Sequence, residues 1–454
     1  MHRLLRLLCS LLAAGLLAAC STARPWQNLP LPPGSQDARA AALDATPTED
    51  LSMVLLVTLS GGGARAAAFG YGVLDALRET PVHWNGRDIR LLDELDVISG
   101  VSGGSIIAAY YAAFGERSFP AFEREFLQQD FQDTLISNML RPAGLHDLSS
   151  PWFGRTHLLA RRLDGLYKGL TFGDLAARRG RPQLLVSATD LSLGSGFDFS
   201  WEQFELICSD LASVPLAFAV ASSSAVPIVL SPMTLRNHNA HCPRPPISLE
   251  GVAPGDYRTR LMRSNQRTYL DAGQRPYIHL VDGGLADNLG VRGLLDRSLA
   301  SGGLRGSVRR LPNNAIRKIV IVAVNAERAP AERIDTRDTV PSTAQVVDAL
   351  MFGAGARATQ ETLGLLTDTA QLWRRELARR GGGDDPFTAD AQVHVVTVNL
   401  ADAPELMDRD ALMQVPTAFS IPRADVSRLI AAGRHILRAS PEFKALLQSL
   451  GPAP

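Results

Sequence analysis

Residues 91–114, LLDELDVISGVSGGSIIAAYYAAF, decide how this chain folds. The apolar run up to Ser99 predicts a buried strand, and the unbroken apolar stretch from Ser105 predicts a helix. Between them stands Gly100-Val101-Ser102-Gly103-Gly104, and a G-x-S-x-G sequence is meaningful when it joins a strand to a helix. The glycines allow a sharp turn, and the helix start directs amide N–H groups back at the serine. The pattern predicts that Ser102 is a nucleophile; the alternative is an ordinary βα turn.

A second glycine-rich turn lies upstream. Residues 51–59, LSMVLLVTL, predict a short buried strand, and the sequence Ser60-Gly61-Gly62-Gly63-Ala64-Arg65 follows before a helical pattern. Consecutive glycines at such a junction offer backbone N–H donors to an anion. The G-x-x-x-x-G-K-[ST] and G-x-G-x-x-G patterns of nucleotide-binding loops are absent. An oxyanion hole at Gly61, Gly62 and Gly63, with Arg65 as a nearby cation, fits better than a phosphate loop or a plain flexible turn.

A candidate base follows the apolar stretch YIHLV, where the chain reads Asp282-Gly283-Gly284. An Asp at the end of a strand lies where catalytic groups collect in parallel sheets. Asp-Gly is also a common turn dipeptide, so the sequence leaves both interpretations open. Asp271 is a rival base, but it lacks the double glycine.

Taken in order, these three motifs and the sequence ASSSAVP at 221–227 resemble the patatin-like phospholipase family. The resemblance covers about residues 52–300. It implies a three-layer α/β/α sandwich whose members hydrolyse acyl esters of lipids. It further implies a Ser–Asp dyad, with Ser102 as nucleophile and Asp282 as base. By the same carry-over, Gly61, Gly62 and Gly63 form the oxyanion hole, with Arg65 beside it.

The other residues capable of this chemistry are less well placed. A Ser-Asp-His order would require His394 or His435, which fall in a strand interior and in an amphipathic helix. Ser222, Ser223 and Ser224 lack flanking glycines and stand close to Pro227, which favours a turn near the site. Asp190 ends a predicted strand, and we interpret it as structural. These observations favour a dyad over a triad.

Composition agrees with an enzyme of the α/β class. The 454 residues are 46% hydrophobic with a formal net charge of zero, so nothing supports nucleic-acid binding. The sequences KIVIVAVNAE and VHVVTVNL predict further buried strands, and their alternation with helical segments predicts a mainly parallel sheet. Since no H-E-x-x-H and no ligand spacing of Cys and His occurs, we expect no metal, and the dyad chemistry needs no cofactor.

The N-terminus predicts where the protein works. Arg3 and Arg6 precede an apolar run from Leu7 to Ala19, typical of a signal peptide, and Leu17-Ala18-Ala19-Cys20 resembles a bacterial lipobox. We therefore expect a signal peptide at 1–19 and a lipidated Cys20 opening a flexible tether at 20–50. Ser21 after the cysteine indicates the outer membrane of the cell envelope. The catalytic domain is predicted at 51–330, with a helical and strand extension at 331–454 packed on it.

Two further cysteines, Cys208 and Cys242, form an even pair in an oxidising compartment, which predicts a disulfide; two unrelated buried thiols are the alternative. The functional prediction is a lipid acyl hydrolase of the phospholipase A or lysophospholipase type that acts on membrane lipids. An esterase or thioesterase acting on soluble acyl substrates stays open, as does a non-catalytic, lipid-binding envelope lipoprotein.

Overall fold

The computed structural model describes residues 21–35, 50–178, 182–242, 257–308, 311–328, 354–379 and 385–450, with a few isolated positions between 334 and 349. The predicted signal peptide at 1–19 and Cys20 lie outside the described residues. No helix within the described part of the chain is both long and apolar enough to cross a membrane.

The described residues form ten strands. In chain order they are β1 (Met53–Leu59), β2 (Pro81–Trp84), β3 (Arg87–Arg90), β4 (Leu95–Val101), β5 (Gln183–Asp190), β6 (Ser195–Asp198), β7 (Met233–Arg236), β8 (Tyr277–Val281), β9 (Ile316–Asn325) and β10 (Phe387–Asn399).

Eight of these strands form one sheet with the order β10-β9-β1-β4-β5-β8-β7, and β6 also pairs with β5. The strands from β10 to β5 run parallel to their neighbours. The pairs β5–β6, β5–β8 and β7–β8 are antiparallel. The predicted mainly parallel sheet is confirmed, with antiparallel pairing confined to one side. Strands β2 and β3 form a separate hairpin.

The described residues also form α-helices. They are α1 (Gly63–Arg78), α2 (Gly103–Phe114), α3 (Ser118–Phe122), α4 (Phe131–Leu140), α5 (Pro142–Leu148), α6 (Arg155–Tyr167), α7 (Phe172–Ala176), α8 (Trp201–Leu206), α9 (Leu216–Ser223), α10 (Tyr257–Tyr269), α11 (Arg292–Ala300), α12 (Leu304–Val308), α13 (Ala354–Ala378), α14 (Arg409–Gln414), α15 (Arg423–Ala439) and α16 (Pro441–Leu450).

Strand β9 shows how the sheet divides the core. Its alternate residues Val320, Val322 and Val324 belong to the apolar cluster that contains α1, α2 and α15. Ile319 and Ile321 belong to a second cluster on the other face, with α11 and α13. Because successive side chains of a strand point to opposite faces, helices must cover both sides of the sheet. This is the predicted α/β/α sandwich.

The C-terminal region is part of this architecture. Strand β10 extends the sheet by pairing with β9 along most of its length, and α15 packs against α1. Arg434 of α15 forms an ion pair with Asp75 of α1, whose side chain is buried. The segment between α14 and α15 also contacts the glycine-rich turn, because the amide of Ala64 donates to the carbonyl oxygen of Ala418 at 2.7 Å. Residues after 331 therefore help to build the sheet and the glycine-rich turn.

The prediction of a flexible tether at 20–50 is wrong for residues 21–35. The ring of Trp26 packs on Phe218 at 4.7 Å between centroids. The buried side chain of Asn28 donates to Ser209 Oγ at 2.8 Å, and the amide of Leu31 donates to the Cys208 carbonyl. A segment rich in Pro and polar residues can thus be fixed by a few long-range contacts. Residues 36–49 lie outside the described part of the chain.

The same region contains the predicted disulfide. Cys208 and Cys242 are joined, with a Cα–Cα distance of 5.7 Å. The bond closes the segment that includes α9 and β7, and it lies beside the docked N-terminal residues. It therefore ties together the part of the fold on which residues 21–35 pack.

Candidate active site

Ser102 occupies the turn between β4 and α2 in a conformation that few side chains adopt. Its φ is 48° and its ψ is −122°, outside the regions that non-glycine residues favour. Such a backbone costs about 1–3 kcal/mol and persists only where the surroundings enforce it. Gly103 allows the required packing, since a Cβ there would collide with the backbone of Gly63. The turn thereby holds the Ser102 hydroxyl at the end of the sheet, next to the glycine-rich loop.

The hydroxyl of Ser102 donates to Asp282 Oδ2 at 2.8 Å, across 180 residues of sequence. Asp282 follows β8, and its Oδ1 accepts the amide N–H of Gly284 at 2.8 Å. Burial raises the pKa of Asp282 to about 6, although the hydrogen bonds from Gly284 and Ser102 lower it. A carboxylate with a pKa near the working pH and in contact with a hydroxyl can act as a general base.

The segment 221–227 forms hydrogen bonds with the backbone amides of both Ser102 and Asp282. Ser223 Oγ accepts the amide N–H of Ser102 at 2.8 Å and donates to the carbonyl oxygen of Ser187 at 2.6 Å. The amide of Asp282 donates to the carbonyl oxygen of Ala225 at 3.0 Å. Ser222 is buried and donates to the Phe218 carbonyl. The sequence motif marked this segment, but only the contacts reveal that Ser223 orients the Ser102 backbone.

The glycine-rich loop presents fewer donors than the sequence predicted. The amide N–H of Gly61 donates to the carbonyl oxygen of Asn288 at 3.1 Å, so in this structure the predicted Gly61 donor is already engaged. Within the described residues, no hydrogen bond uses the amides of Gly62 and Gly63. Both stand at the start of α1, where the helix dipole favours negative charge. Gly62 has a φ of 141°, which only glycine adopts readily.

Arg65 lies beside this loop, as expected, but most of its guanidinium is already engaged. Its Nε donates to the Ala326 carbonyl at 2.8 Å, and its Nη1 donates to the Val415 carbonyl and to Thr417 Oγ1. Burial and the neighbouring Arg328 lower the pKa of Arg65 to about 9, so the side chain stays charged at neutral pH. Arg65 therefore fixes the glycine loop to the end of β9 and to the C-terminal segment.

A pocket of about 60 Å³ opens over these groups. Six of its thirteen lining residues belong to the three predicted motifs, and the others are Val226, Leu285, Asn288, Glu327, Arg328, Gly355 and Thr417. It is much smaller than the roughly 300–1,000 Å³ of pockets that enclose a drug-sized ligand. A volume of this size is enough for an ester group but not for a whole lipid.

The rival residues lie elsewhere. Asp190 is buried and bonds Tyr269 and Arg275, consistent with a structural role. Asp271 is exposed and accepts the amide of Gln274. His394 contacts Gln392 and Ser449 on β10 and α16, and His435 is exposed on α15. In the parts of the chain that the structure describes, no histidine bonds Asp282 or Ser102, and no group of His, Cys, Asp and Glu could hold a metal ion.

Comparison with known proteins agrees with this architecture. Residues 57–295 match the family model described as patatin-like phospholipase. No curated protein matches the sequence significantly. The human GIVD cytosolic phospholipase A2 structure is similar at a TM-score of 0.51 and 16% identity, covering 91% of this chain and 64% of that one. This chain thus spans less than two thirds of that protein's length. VipD from Legionella pneumophila is more distant, at a TM-score of 0.33, 12% identity, and coverage of 88% and 67%.

The family match covers more than half of the chain and includes the glycine-rich loop, the Ser102 turn and the Asp282 loop. The glycine-rich loop and the Ser102 turn follow the neighbouring strands β1 and β4, and the Asp282 loop follows β8, which is separated from β4 by β5 in the mixed and mostly parallel sheet. We conclude that this chain belongs to the patatin-like phospholipase family.

Proposed function

We propose that this protein is a lipid acyl hydrolase of the phospholipase A or lysophospholipase type. Family membership supports lipid hydrolysis. The observation that carries the proposal is the 2.8 Å hydrogen bond between Ser102 Oγ and Asp282, whose pKa burial raises to about 6. A hydroxyl is a weak nucleophile until an adjacent base activates it, and this pair supplies both groups.

In the proposed mechanism, Asp282 takes the Ser102 proton while Oγ bonds to the ester carbonyl carbon. The amides of Gly62 and Gly63 donate to the oxyanion that forms, and donors of this kind contribute several kcal/mol. The ester C–O bond then breaks, and the departing alcohol or lysolipid takes the proton from Asp282. Water, deprotonated by the same carboxylate, attacks the acyl-enzyme, releases the fatty acid and restores the Ser102 hydroxyl.

The small pocket favours a second candidate within the same chemistry. A volume of about 60 Å³ suits a short acyl group on a soluble ester or thioester. A series of esters of increasing acyl length, presented as monomers and as micelles, separates the two candidates. A phospholipase gains rate with chain length and with micelle formation, whereas a soluble-substrate esterase loses rate once the chain outgrows the pocket.

We also propose that Cys20 carries the lipid that anchors the protein to the bacterial envelope at the outer membrane. Its support is the sequence alone: the charged start, the apolar run and the small residues before the cysteine. Mass spectrometry of the mature N-terminus tests this, and an unmodified Cys20 in mature protein would refute it.

Labelling with a fluorophosphonate tests the nucleophile. The wild-type protein should react at one serine and lose ester turnover, and Ser102→Ala should abolish both labelling and turnover while remaining folded. Ser224→Ala is a matched control, because the Ser224 hydroxyl is buried near the site and has no hydrogen-bond partner among the residues that the structure describes. Labelling that persists in folded Ser102→Ala would refute the proposal and support a non-catalytic lipid-binding protein or another nucleophile.

A further inference from the structure

Two bulky apolar side chains project from the segment that borders the pocket. Val226 lines the pocket. Ile228 and Val229, which follow it closely in the chain, are 68% and 64% exposed. Ile228 has a φ of 71°, a strained conformation for a β-branched residue. Arg155 fixes it there by donating from Nη2 to the Ile228 carbonyl at 2.6 Å. The fold thus keeps two apolar side chains exposed to solvent beside the mouth of the pocket, although this strains the backbone of Ile228.

A tryptophan lies on the loop attached to this pair. The loop before α6 leads into the first turn of that helix, and this turn is bonded to the pair's segment, since the amide of Thr156 donates to Ser231 Oγ at 3.2 Å. On that loop Trp152 is 45% exposed, with the Arg24 guanidinium 3.5 Å from its ring centroid. A half-exposed tryptophan beside a cation is typical of a surface that rests at the head-group level of a bilayer. We define Trp152, Ile228 and Val229 as the rim.

The N-terminal segment reaches the same loop. The amide of Ser21 donates to Ser149 Oγ at 3.0 Å, and Ser150 Oγ donates to the Ala23 carbonyl at 2.8 Å. Ser21 is 4% exposed, so the described chain begins fixed against the protein rather than in free solvent. Ser21, the residue that follows Cys20 in the chain, is therefore hydrogen-bonded to a residue on the same stretch of chain as Trp152.

We propose that the rim docks on the bilayer that carries the Cys20 anchor, so that the pocket mouth faces that membrane directly. The inference rests on the proposed lipidation and acyl hydrolysis. A short attachment beside the rim keeps the rim at the surface at high effective concentration. Arg24 and Arg155 are exposed and add attraction to anionic head groups. A docked mouth receives the acyl ester of a lipid whose chains stay largely in the bilayer, which suits a 60 Å³ pocket.

The test uses the full-length lipidated protein reconstituted in vesicles of phosphatidylethanolamine and phosphatidylglycerol. We expect Ile228→Ser/Val229→Ser to lower hydrolysis of the vesicle lipid at least five-fold while turnover of a soluble butyryl ester stays unchanged. Leu372→Ser is the matched control: Leu372 is also exposed, but it lies about 25 Å along α13 from Gly355 at the pocket. The control should hydrolyse both substrates at wild-type rates.

A second measurement does not depend on activity. Vesicles containing brominated lipid should quench tryptophan fluorescence in the wild type, and most of that quenching should vanish in Trp152→Phe. Inserting a Gly-Ser segment after Ser21 should reduce both the quenching and the lipid hydrolysis. Absent quenching of Trp152, or vesicle hydrolysis unaffected by the rim substitutions, would overturn the docking surface. An insertion without effect would overturn the short attachment. Failure of the proposed function is distinct, because the wild type itself would then not hydrolyse the vesicle lipid, whatever its rate on the soluble ester.

Discussion

In the proposed mechanism the buried Asp282 carboxylate couples activity to stability, and the Asp282→Asn variant tests that coupling. Burial raises the pKa from its ordinary 3.8 to about 6. Because each tenfold change in proton affinity is about 1.4 kcal/mol, keeping this group ionised destabilises the folded protein by about 3 kcal/mol at neutral pH. Asparagine has the same shape and no charge. At pH 8 we expect Asp282→Asn to be more stable by about this amount, and to lose about 10²–10⁴-fold in rate.

The pH dependence of this effect has a definite sign. The folded protein binds the Asp282 proton more tightly than the unfolded chain does, so the contribution to wild-type stability is complete below pH 3.8 and is lost as the pH rises through about 6. The advantage of Asp282→Asn should therefore vanish at pH 4. Activity changes in the opposite direction: kcat/KM on a soluble ester should fall tenfold per pH unit below about 6 and level off above it.

Thermal unfolding and ester hydrolysis between pH 4 and 8 measure both effects. For a chain of this size, about 3 kcal/mol corresponds to a rise of about 3–4 °C in Tm. Asp271→Asn serves as the control, since that carboxyl group is exposed and should change neither Tm nor rate. A flat rate profile down to pH 4.5, or an Asp282→Asn protein with wild-type rate, would show that Asp282 is not the base.

Three further predictions concern the glycine loop, Arg65 and the disulfide. Gly62→Ala should cost about 10²-fold or more in kcat, because a side chain at φ 141° displaces a proposed donor, whereas Gly86→Ala, at φ 75° in open space, should leave the rate intact. Arg65→Lys should lose nearly as much rate and Tm as Arg65→Ala, because an ammonium cannot reproduce the three hydrogen bonds of the planar fork; wild-type values would mean that charge alone matters. Replacing Cys208 and Cys242 by serine should lower the free energy of unfolding by about 3–4 kcal/mol, because the bond spans 34 residues; equal denaturation midpoints would contradict this.

Local sequence was sufficient to predict the strands and turns that carry Ser102 and Asp282. The apolar runs before Ser102 and Asp282 are strands, and the glycines after them mark turns, because both signals depend on near neighbours. The alternation of strands and helices correctly predicted a mainly parallel sheet with helices on both faces. It could not reveal that β6, β7 and β8 pair antiparallel, since an apolar pattern does not encode strand direction.

Contacts between segments that lie far apart in the chain were decided only by the tertiary structure. The amide of Gly61 donates to the Asn288 carbonyl, and the amide of Ser102 donates to Ser223 Oγ. The Ala418 carbonyl likewise accepts a hydrogen bond from the glycine-rich turn. The same holds for residues 21–35, whose composition resembles a tether although Trp26 and Asn28 fix them to the fold. A hydrogen bond between distant residues leaves no periodic signal in either segment. The sequence therefore specified which residues could do the chemistry, and packing determined which of their donors and acceptors are free to do it.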